Sequence, residues 1–321
     1  MLNTVLDGTI ILIATLLGNY GVNPVPHRHL SSLFVSVGST SVLIDCGEGT
    51  QLAIREQTLR LTNLSLICLT HYHPDHILGL PGLISTLDTA IRDAEVSHKR
   101  SLIIVGPEDP NDTVHKLVSI ISHTNLQIRF IGLKANKEYQ LDFPGFTLTA
   151  FPVKHSIDCF GYAIEEFHNP KMDILKAAES GIDQQYWNFL QYGYHLVNDE
   201  NELHTIDSIT SGDMRIKKVV YSTDTLPVAS IRNHCENAQL AVLEGMFYSG
   251  FVTSNGKNKE MKGCHMIFEE AASIAREANV EELWLTHFSP ILTDPEAGLE
   301  KTLSIFPNTR CGRFGMQKEV K

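Results

Sequence analysis

One run constrains this chain more than any other: His71, His73, Asp75 and His76 follow directly on the apolar stretch Leu64–Leu69, spaced His-x-His-x-Asp-His. Side chains alternate along an extended chain, so His71 and His73 point the same way, and Asp75 and His76 lie where a helix would begin. Four donors therefore converge on one strand end. Imidazole and carboxylate suit zinc, and the spacing divides naturally into one pair of donors per metal ion. The competing explanation is a histidine-rich polar loop in which Asp75 caps the following helix. A strand before and a helix after the run is the context that a metal motif requires.

One motif cannot close two sites, so further donors must come from other strand ends. Three residues share that design. His155 follows Pro152-Val153-Lys154, Asp224 follows Val219-Val220-Tyr221-Ser222-Thr223, and His287 follows Leu283-Trp284-Leu285-Thr286. Asp224 has two oxygens and can bridge two cations, which a neutral imidazole cannot do. Taken singly, each histidine is equally explained as a satisfied core or surface residue; taken together, the three complete a site.

The 321 residues allow one large domain or two ordinary ones. A hydrophobic content of 43% with 20% charged residues is that of a folded globular protein. The formal charge of -11 argues against a surface coated with basic residues for nucleic acid, although bound zinc would return positive charge where a phosphate must approach. The six cysteines, Cys46, Cys68, Cys159, Cys235, Cys264 and Cys311, form no Cys-x-x-Cys pair and read as free thiols of a reducing compartment. Ile10–Leu17 follows Asp7 instead of a basic segment and is too short to span a bilayer, so it reads as a buried strand and the expected location is the cytoplasm, with no membrane partner.

Period-two patterning and turn residues predict strands at Thr9–Leu17, Leu33–Val37, Ser41–Asp45, Leu64–Leu69, Ser101–Val105, Phe146–Val153, Gly161–Glu165, Lys218–Ser222, Leu240–Leu243 and Glu282–Thr286. Helical patterns cover Leu83–Arg92, Thr113–His123 and Glu269–Ala278. This is mixed α/β organisation. Between Glu166 and Lys217 the pattern gives way to polar and aromatic sequence. With no repeat and no linker, the expectation is a single domain over residues 1–321 with an inserted arm at about 166–217.

At this point the sequence resembles a known family. Arg28-His29-Leu30-Ser31-Ser32, Asp45-Cys46-Gly47-Glu48-Gly49-Thr50-Gln51, the His71–His76 run with Gly79-Leu80-Pro81-Gly82-Leu83 after it, His155 with Gly161-Tyr162, Ser222-Thr223-Asp224-Thr225, and Leu285-Thr286-His287-Phe288-Ser289-Pro290 are similar to the motifs of ribonuclease Z. This is the tRNA 3′-processing endonuclease of the metallo-β-lactamase superfamily. The resemblance covers nearly the whole chain. It implies an αβ/βα sandwich, two mixed sheets packed face to face with helices outside. It also implies two Zn2+ per chain: His71, His73, His155 and Asp224 would hold one, and Asp75, His76, His287 and the shared Asp224 the other. Two such ions lower the pKa of a bridging water and stabilise charge on the attacked phosphate, and Asp75 would also accept the proton of the nucleophile.

Glu244 and His265 match a glutamate and a histidine that resemble a catalytic dyad of the family. A histidine kept cationic by a carboxylate is suited to protonate the departing 3′ oxygen near neutral pH. The alternative for His265 is helix capping or phosphate contact alone. Small hydroxyl residues usually follow this histidine in the family, whereas Met266 follows here.

The resemblance implies precursor tRNA as substrate, removal of its 3′ trailer to leave a 3′-hydroxyl, and a homodimer. The chain departs from the family at the arm. Gly181–Tyr192 carries no proline, lysine or arginine where a basic Gly-Pro-rich hand is usual. Tyr186, Trp187 and Phe189 there read first as a small core or an oligomer contact, and second as stacking surfaces for RNA. Basic residues available for phosphate are Arg55, Arg60, Lys171, Lys176, Arg215, Lys217, Lys218 and Lys262. The alternative function is a general or small-molecule phosphodiesterase. A thiolester hydrolase or lactamase is more distant, and a non-catalytic RNA-binding subunit would require damaged ligands.

Overall fold

A computed structural model describes residues 11–94, 99–109, 112–121, 125–168, 172–191, 195–198, 202–211, 215–253, 255 and 263–321. Residues 9–10 of the first expected strand, the last two residues of the expected helix Thr113–His123, Lys171, Tyr192 and Lys262 lie outside this set.

Apolar residues at alternate positions build two seven-stranded sheets. The first contains β1 (Leu12–Gly18), β2 (Ser32–Val37), β3 (Thr40–Ile44), β4 (Leu64–Cys68), β5 (Arg100–Pro107), β6 (Leu126–Leu133) and the C-terminal strand Gln317–Val320. The second contains β7 (Tyr139–Phe143), β8 (Phe146–Val153), β9 (Cys159–His168), β10 (Arg215–Ser222), β11 (Leu240–Glu244), β12 (Leu283–Thr286) and β13 (Thr309–Cys311). Each sheet is antiparallel on one side and parallel on the other: β3 to β6 run parallel in the first, and β10 to β13 in the second. Parallel strands send their carboxyl ends the same way, and loops at those ends are where open α/β sheets place their chemistry.

Alternation decides which face each residue serves. Leu12, Ala14 and Leu16 on β1, Leu33 and Val35 on β2, and Tyr162, Tyr221, Val242 and Trp284 from the other sheet form one buried cluster, so the sheets pack face to face. The outward residues Phe34, Leu43, Ile67 and Ile104 meet Leu80, Leu83, Ile84 and Leu87 of the helix Leu80–Asp93. On the opposite side Val220, Ala241, Leu243 and Leu285 meet Phe268, Ala271 and Ala275 of the helix Phe268–Glu277. Helix, sheet, sheet, helix is the metallo-β-lactamase αβ/βα sandwich.

The described residues divide into two compact units, Met1–Glu165 with Lys218–Lys321, and Glu166–Lys217. The second is small. Ala177, Leu190 and Ile209 are its buried centre, with Trp187 packed against them, and the Trp187 indole N–H donates to the Ile182 carbonyl at 2.9 Å.

Several elements differ from the sequence reading. The helix expected over Thr113–His123 ends at Ser119. Asp45, expected as the last residue of a strand, lies beyond Ile44 in the left-handed region at φ 60°. Strands β6, β7, β13 and Gln317–Val320, and helices such as Thr50–Glu56 and Leu299–Ile305, have no counterpart in that reading. β6 and β7 are edge strands of their sheets; β7 alternates Tyr139, Leu141 and Phe143 with Gln140 and Asp142, whereas adjacent Phe130 and Ile131 break the period of β6.

Candidate metal centre

Five strand ends meet at one place. β4 delivers the run Thr70–His76, β8 delivers His155, β10 Asp224, β11 Glu244 and β12 His287. The run stays extended through His73 (φ -69°, ψ 150°), where Pro74 opens the short helix Pro74–Ile77. Proline suits a first helical position because its φ is already set and no N–H is lost. Asp224 (φ 51°) and His287 (φ 58°), like Asp45, turn out of their strands through left-handed backbone. Such a conformation costs about 1–3 kcal/mol at a non-glycine residue and survives only where surrounding contacts over-determine it.

His71 Nε2 lies 2.9 Å from His73 Nδ1, and His155 Nε2 lies 3.3 Å from the same atom. A donor atom from each of His71, His73, His155 and Asp224 falls within 4.8 Å of all the others. Asp75, His76 and His287 form a second such group. Asp224 Oδ2 is 3.2 Å from His76 Nε2 and 3.0 Å from His287 Nε2, which joins it to both groups.

Four imidazoles are held from behind through Nδ1, with Nε2 facing the centre. The His76 Nδ1–H donates to Asp45 Oδ2 at 2.8 Å, His155 to the Cys264 carbonyl at 3.2 Å and His287 to Glu244 Oε1 at 3.1 Å. His71 Nδ1 is 3.0 Å from the Thr70 hydroxyl, which itself lies 3.0 Å from Asp45. Outer partners of this kind fix ring orientation and tautomer.

Asp45 is the residue that sequence reasoning missed. It is fully buried and accepts the Thr70 N–H at 2.8 Å, the Thr70 hydroxyl and the His76 ring. Burying a carboxylate costs several kcal/mol, and hydrogen bonds to a charged group contribute about 1.5–3 kcal/mol each. Two features of the sequence mark it: an apolar strand that stops at an acid, the same design as Asp224, and its place at the head of the Asp45–Gln51 motif.

Glu244 is fully buried. Its Oε1 accepts the His265 Nδ1–H at 2.6 Å and the His287 Nδ1–H, while its Oε2 accepts the backbone N–H groups of Thr225 and Met266. Glu244, His265, His287 and Asp224 also lie close enough to count as a donor group. Both oxygens of Glu244 are already committed, so its chemistry is to hold the two histidines. Met266 is buried in the core, and its amide serves Glu244.

Charge follows from this geometry. Burial opposes ionisation of Asp75, but the His287 and His76 rings beside it, at 3.5 and 3.4 Å, hold its carboxyl far below the usual range. Burial also opposes ionisation of Asp224, and His287 and His76 pull it down. Burial disfavours the cationic form of His76 and of His287; Asp45 and Asp224 nevertheless raise His76, and Asp224 and Asp75 push His287 up to about 10. His71 and His155 are lowered chiefly by burial. Burial likewise disfavours charge on His265, and Glu244 raises it above its ordinary value.

The metallo-β-lactamase superfamily model matches residues 26–98, which include the His71–His76 run. The human tRNase Z short form aligns structurally with a TM-score of 0.65 at 19% identity, over 96% of this chain and 99% of that one. A metallo-β-lactamase fold protein, YhfI of Bacillus subtilis, aligns with a TM-score of 0.64 at 21% identity over 97% of this chain and 100% of that one. These likenesses concern the fold. Ribonuclease Z of Lachnospira eligens is 38% identical over 306 residues, 95% of this chain and 97% of that protein. The chain belongs to the ribonuclease Z family. Ribonuclease Z of Clostridium acetobutylicum is likewise 36% identical over 92% of this chain and 94% of its own length.

The residues of this ribonuclease Z family member fit the metal that its superfamily implies. His76 Nε2, His287 Nε2 and Asp224 Oδ2 are buried atoms without a hydrogen-bond partner. Buried polar atoms are almost always satisfied, and these converge on one point with nitrogen and oxygen donors of the type that divalent metals take. This is a metal-binding site. Three of the basic residues nominated for phosphate have partners of their own. Lys217 pairs with Glu166, Lys218 pairs with Glu165, and the Lys176 ammonium donates to the Thr210 carbonyl. No helix among the described residues is long and apolar enough to cross a membrane.

Proposed function

We propose that the chain is a zinc-dependent endoribonuclease that removes the 3′ trailer from precursor tRNA, leaving a 3′-hydroxyl on the tRNA body and a 5′-phosphate on the trailer. The observation that carries this reading is the sharing of Asp224 between two donor groups, with the Glu244–His265 pair alongside. Membership of the ribonuclease Z family supplies the substrate class, because relatives matched over 97% and 94% of their own length bear that name.

In this reading His71, His73, His155 and Asp224 hold one Zn2+, and Asp75, His76, His287 and Asp224 hold the second. When bound, the two ions supply an acidified water and positive charge against a phosphodiester. Asp75, kept ionised by its histidine neighbours, accepts the proton of the nucleophile. His265, kept protonated by Glu244, gives its proton to the departing 3′ oxygen. That oxygen leaves as a hydroxyl, which is why the product ends in a 3′-OH.

Four further statements belong to the same proposal. The protein acts as a homodimer in the cytoplasm. Residues 166–217 are an inserted arm of one catalytic domain, and Tyr186 and Phe189, both about half exposed there, offer stacking surface to RNA.

The test is cleavage of a precursor tRNA by zinc-loaded protein beside hydrolysis of bis(p-nitrophenyl) phosphate. Trailer removal that is lost in Asp75→Ala supports the reading. Efficient hydrolysis of the small diester without any cleavage of precursor tRNA would replace it with a general phosphodiesterase.

A further inference from the structure

The segment between β1 and β2 passes over the second donor group and contains a backbone anomaly. Val22 has φ 72°, and the Asn23 N–H donates across it to the Gly21 carbonyl at 2.9 Å. A hydrogen bond from residue i+2 to residue i around a positive φ is a γ-turn of the rare, strained kind. At a β-branched residue the conformation is a genuine outlier. Core packing does not explain it, because the Val22 side chain is 48% exposed at the rim of a cavity of about 360 Å³ that Asp75, His155, Asp224 and His265 also line.

The backbone explains it. The Val22 N–H donates to Asp75 Oδ2 at 2.6 Å. The same oxygen faces the metal group, 3.4 Å from His76 Nε2 and 3.5 Å from His287 Nε2. A carboxylate rotates readily about its last bond, and this amide selects the rotation in which Oδ2 points at the two histidines. The turn is held in place from both sides. The Gly21 N–H donates to the Phe288 carbonyl at 3.0 Å, and a Cβ on Gly21 would fall 2.2 Å from His287 Nε2. Arg28 lies over the Tyr20 ring at 4.4 Å and donates to the Pro290 carbonyl. The strain is thus carried by contacts to the segment that bears His287.

We propose that Val22 is a positioning residue whose backbone amide fixes Asp75 for its metal, the Gly21–Val22–Asn23 turn existing to aim that amide. The proposal rests on the reading that Asp75 is a ligand of a two-zinc site. It requires no particular side chain at position 22, only an N–H in left-handed backbone.

The decisive experiment replaces Val22 in the full chain by its hydroxy-acid analogue, 2-hydroxyisovalerate, which keeps the side chain and removes the N–H. Zinc is counted after equilibration against a graded chelator, and melting is followed in parallel. We expect the ester protein to melt cooperatively yet release one of its two zinc ions at roughly ten- to a hundred-fold lower chelator strength, the range for loss of a ligand's outer partner. Val22→Gly, which keeps the amide and relaxes the backbone, is expected to retain both ions at wild-type chelator strength. An ester protein with unaltered zinc retention would overturn the proposal. So would Val22→Gly losing zinc, and that variant decides alone if the ester protein does not fold. Wild-type protein holding fewer than two zinc ions, or Asp75→Ala retaining both, would instead refute the underlying site assignment.

Discussion

His265 and Glu244 set the pH behaviour expected of the site. The His265 side chain is raised above its ordinary value because Glu244 accepts its Nδ1–H at 2.6 Å. A raised pKa means that the protonated acid is present below that value and is lost as pH rises through it, so kcat should fall on the alkaline side. Glu244→Gln removes the charge that sustains the proton and should move this fall to lower pH. His265→Ala should lower kcat by about 10²–10⁴, the usual contribution of a general acid, with both zinc ions retained. A kcat–pH profile with zinc determination on each variant checks both expectations. Thr70→Val belongs to the same scale. It deletes the hydroxyl that links His71 to Asp45, and zinc affinity should weaken by about 10–100-fold, read by chelator competition.

At the scale of elements, the site depends on how closely two loops approach. Gly79, at the start of the helix Leu80–Asp93, has no room for a side chain: a Cβ there would lie 2.0 Å from the Gly47 carbonyl oxygen. The Gly79 and Cys46 backbones are joined directly, with Gly79 N–H donating to the Cys46 carbonyl at 2.9 Å, and the Cys46 N–H reaching the His76 carbonyl. The segment after Asp45 therefore seats the metal run. Gly79→Ala should push these segments apart and cost about 1–3 kcal/mol, as overpacking does, measured by denaturant unfolding of zinc-loaded protein. In the smaller unit, Trp187 belongs to the local core, whereas Tyr186 and Phe189 are exposed with ring centroids 6.5 Å apart. Replacing both exposed rings by alanine should raise KM for precursor tRNA and leave hydrolysis of bis(p-nitrophenyl) phosphate unaltered.

For the whole molecule, the metal-free centre is a cluster of opposite charges. The folded protein raises His287 from 6.5 to about 10 and holds Asp75 and Asp224 ionised. A group whose pKa is raised on folding contributes stability that is fully present below its unfolded value and is lost as pH rises through its folded value. Metal-free protein should therefore lose stability between pH 6.5 and about 10. Metal binding requires neutral imidazole and so releases protons. Zinc added to metal-free protein in weak buffer should acidify the solution, and the loaded protein should melt higher without that alkaline decline. Calorimetric melting across this range, with and without zinc, is the measurement.

Much of this was legible in local pattern, because strand periodicity and strand-end punctuation are short-range properties. The sequence by itself determined that His71, His73, Asp75 and His76 leave one strand end together, and that His155, Asp224 and His287 stand just past three others. Of the edge strands, β6 was not legible because adjacent Phe130 and Ile131 break its period, whereas β7 was missed although Tyr139, Leu141 and Phe143 alternate with Gln140 and Asp142. Tertiary structure alone decided that Asp45 backs His76 across 31 positions of chain and that the Val22 amide meets Asp75 across 53. It also decided that Asp224 and His287 turn inward through left-handed backbone. Those features depend on hydrogen bonds between segments that are brought together only when the two sheets pack, and a backbone amide has no side chain by which a sequence could announce it.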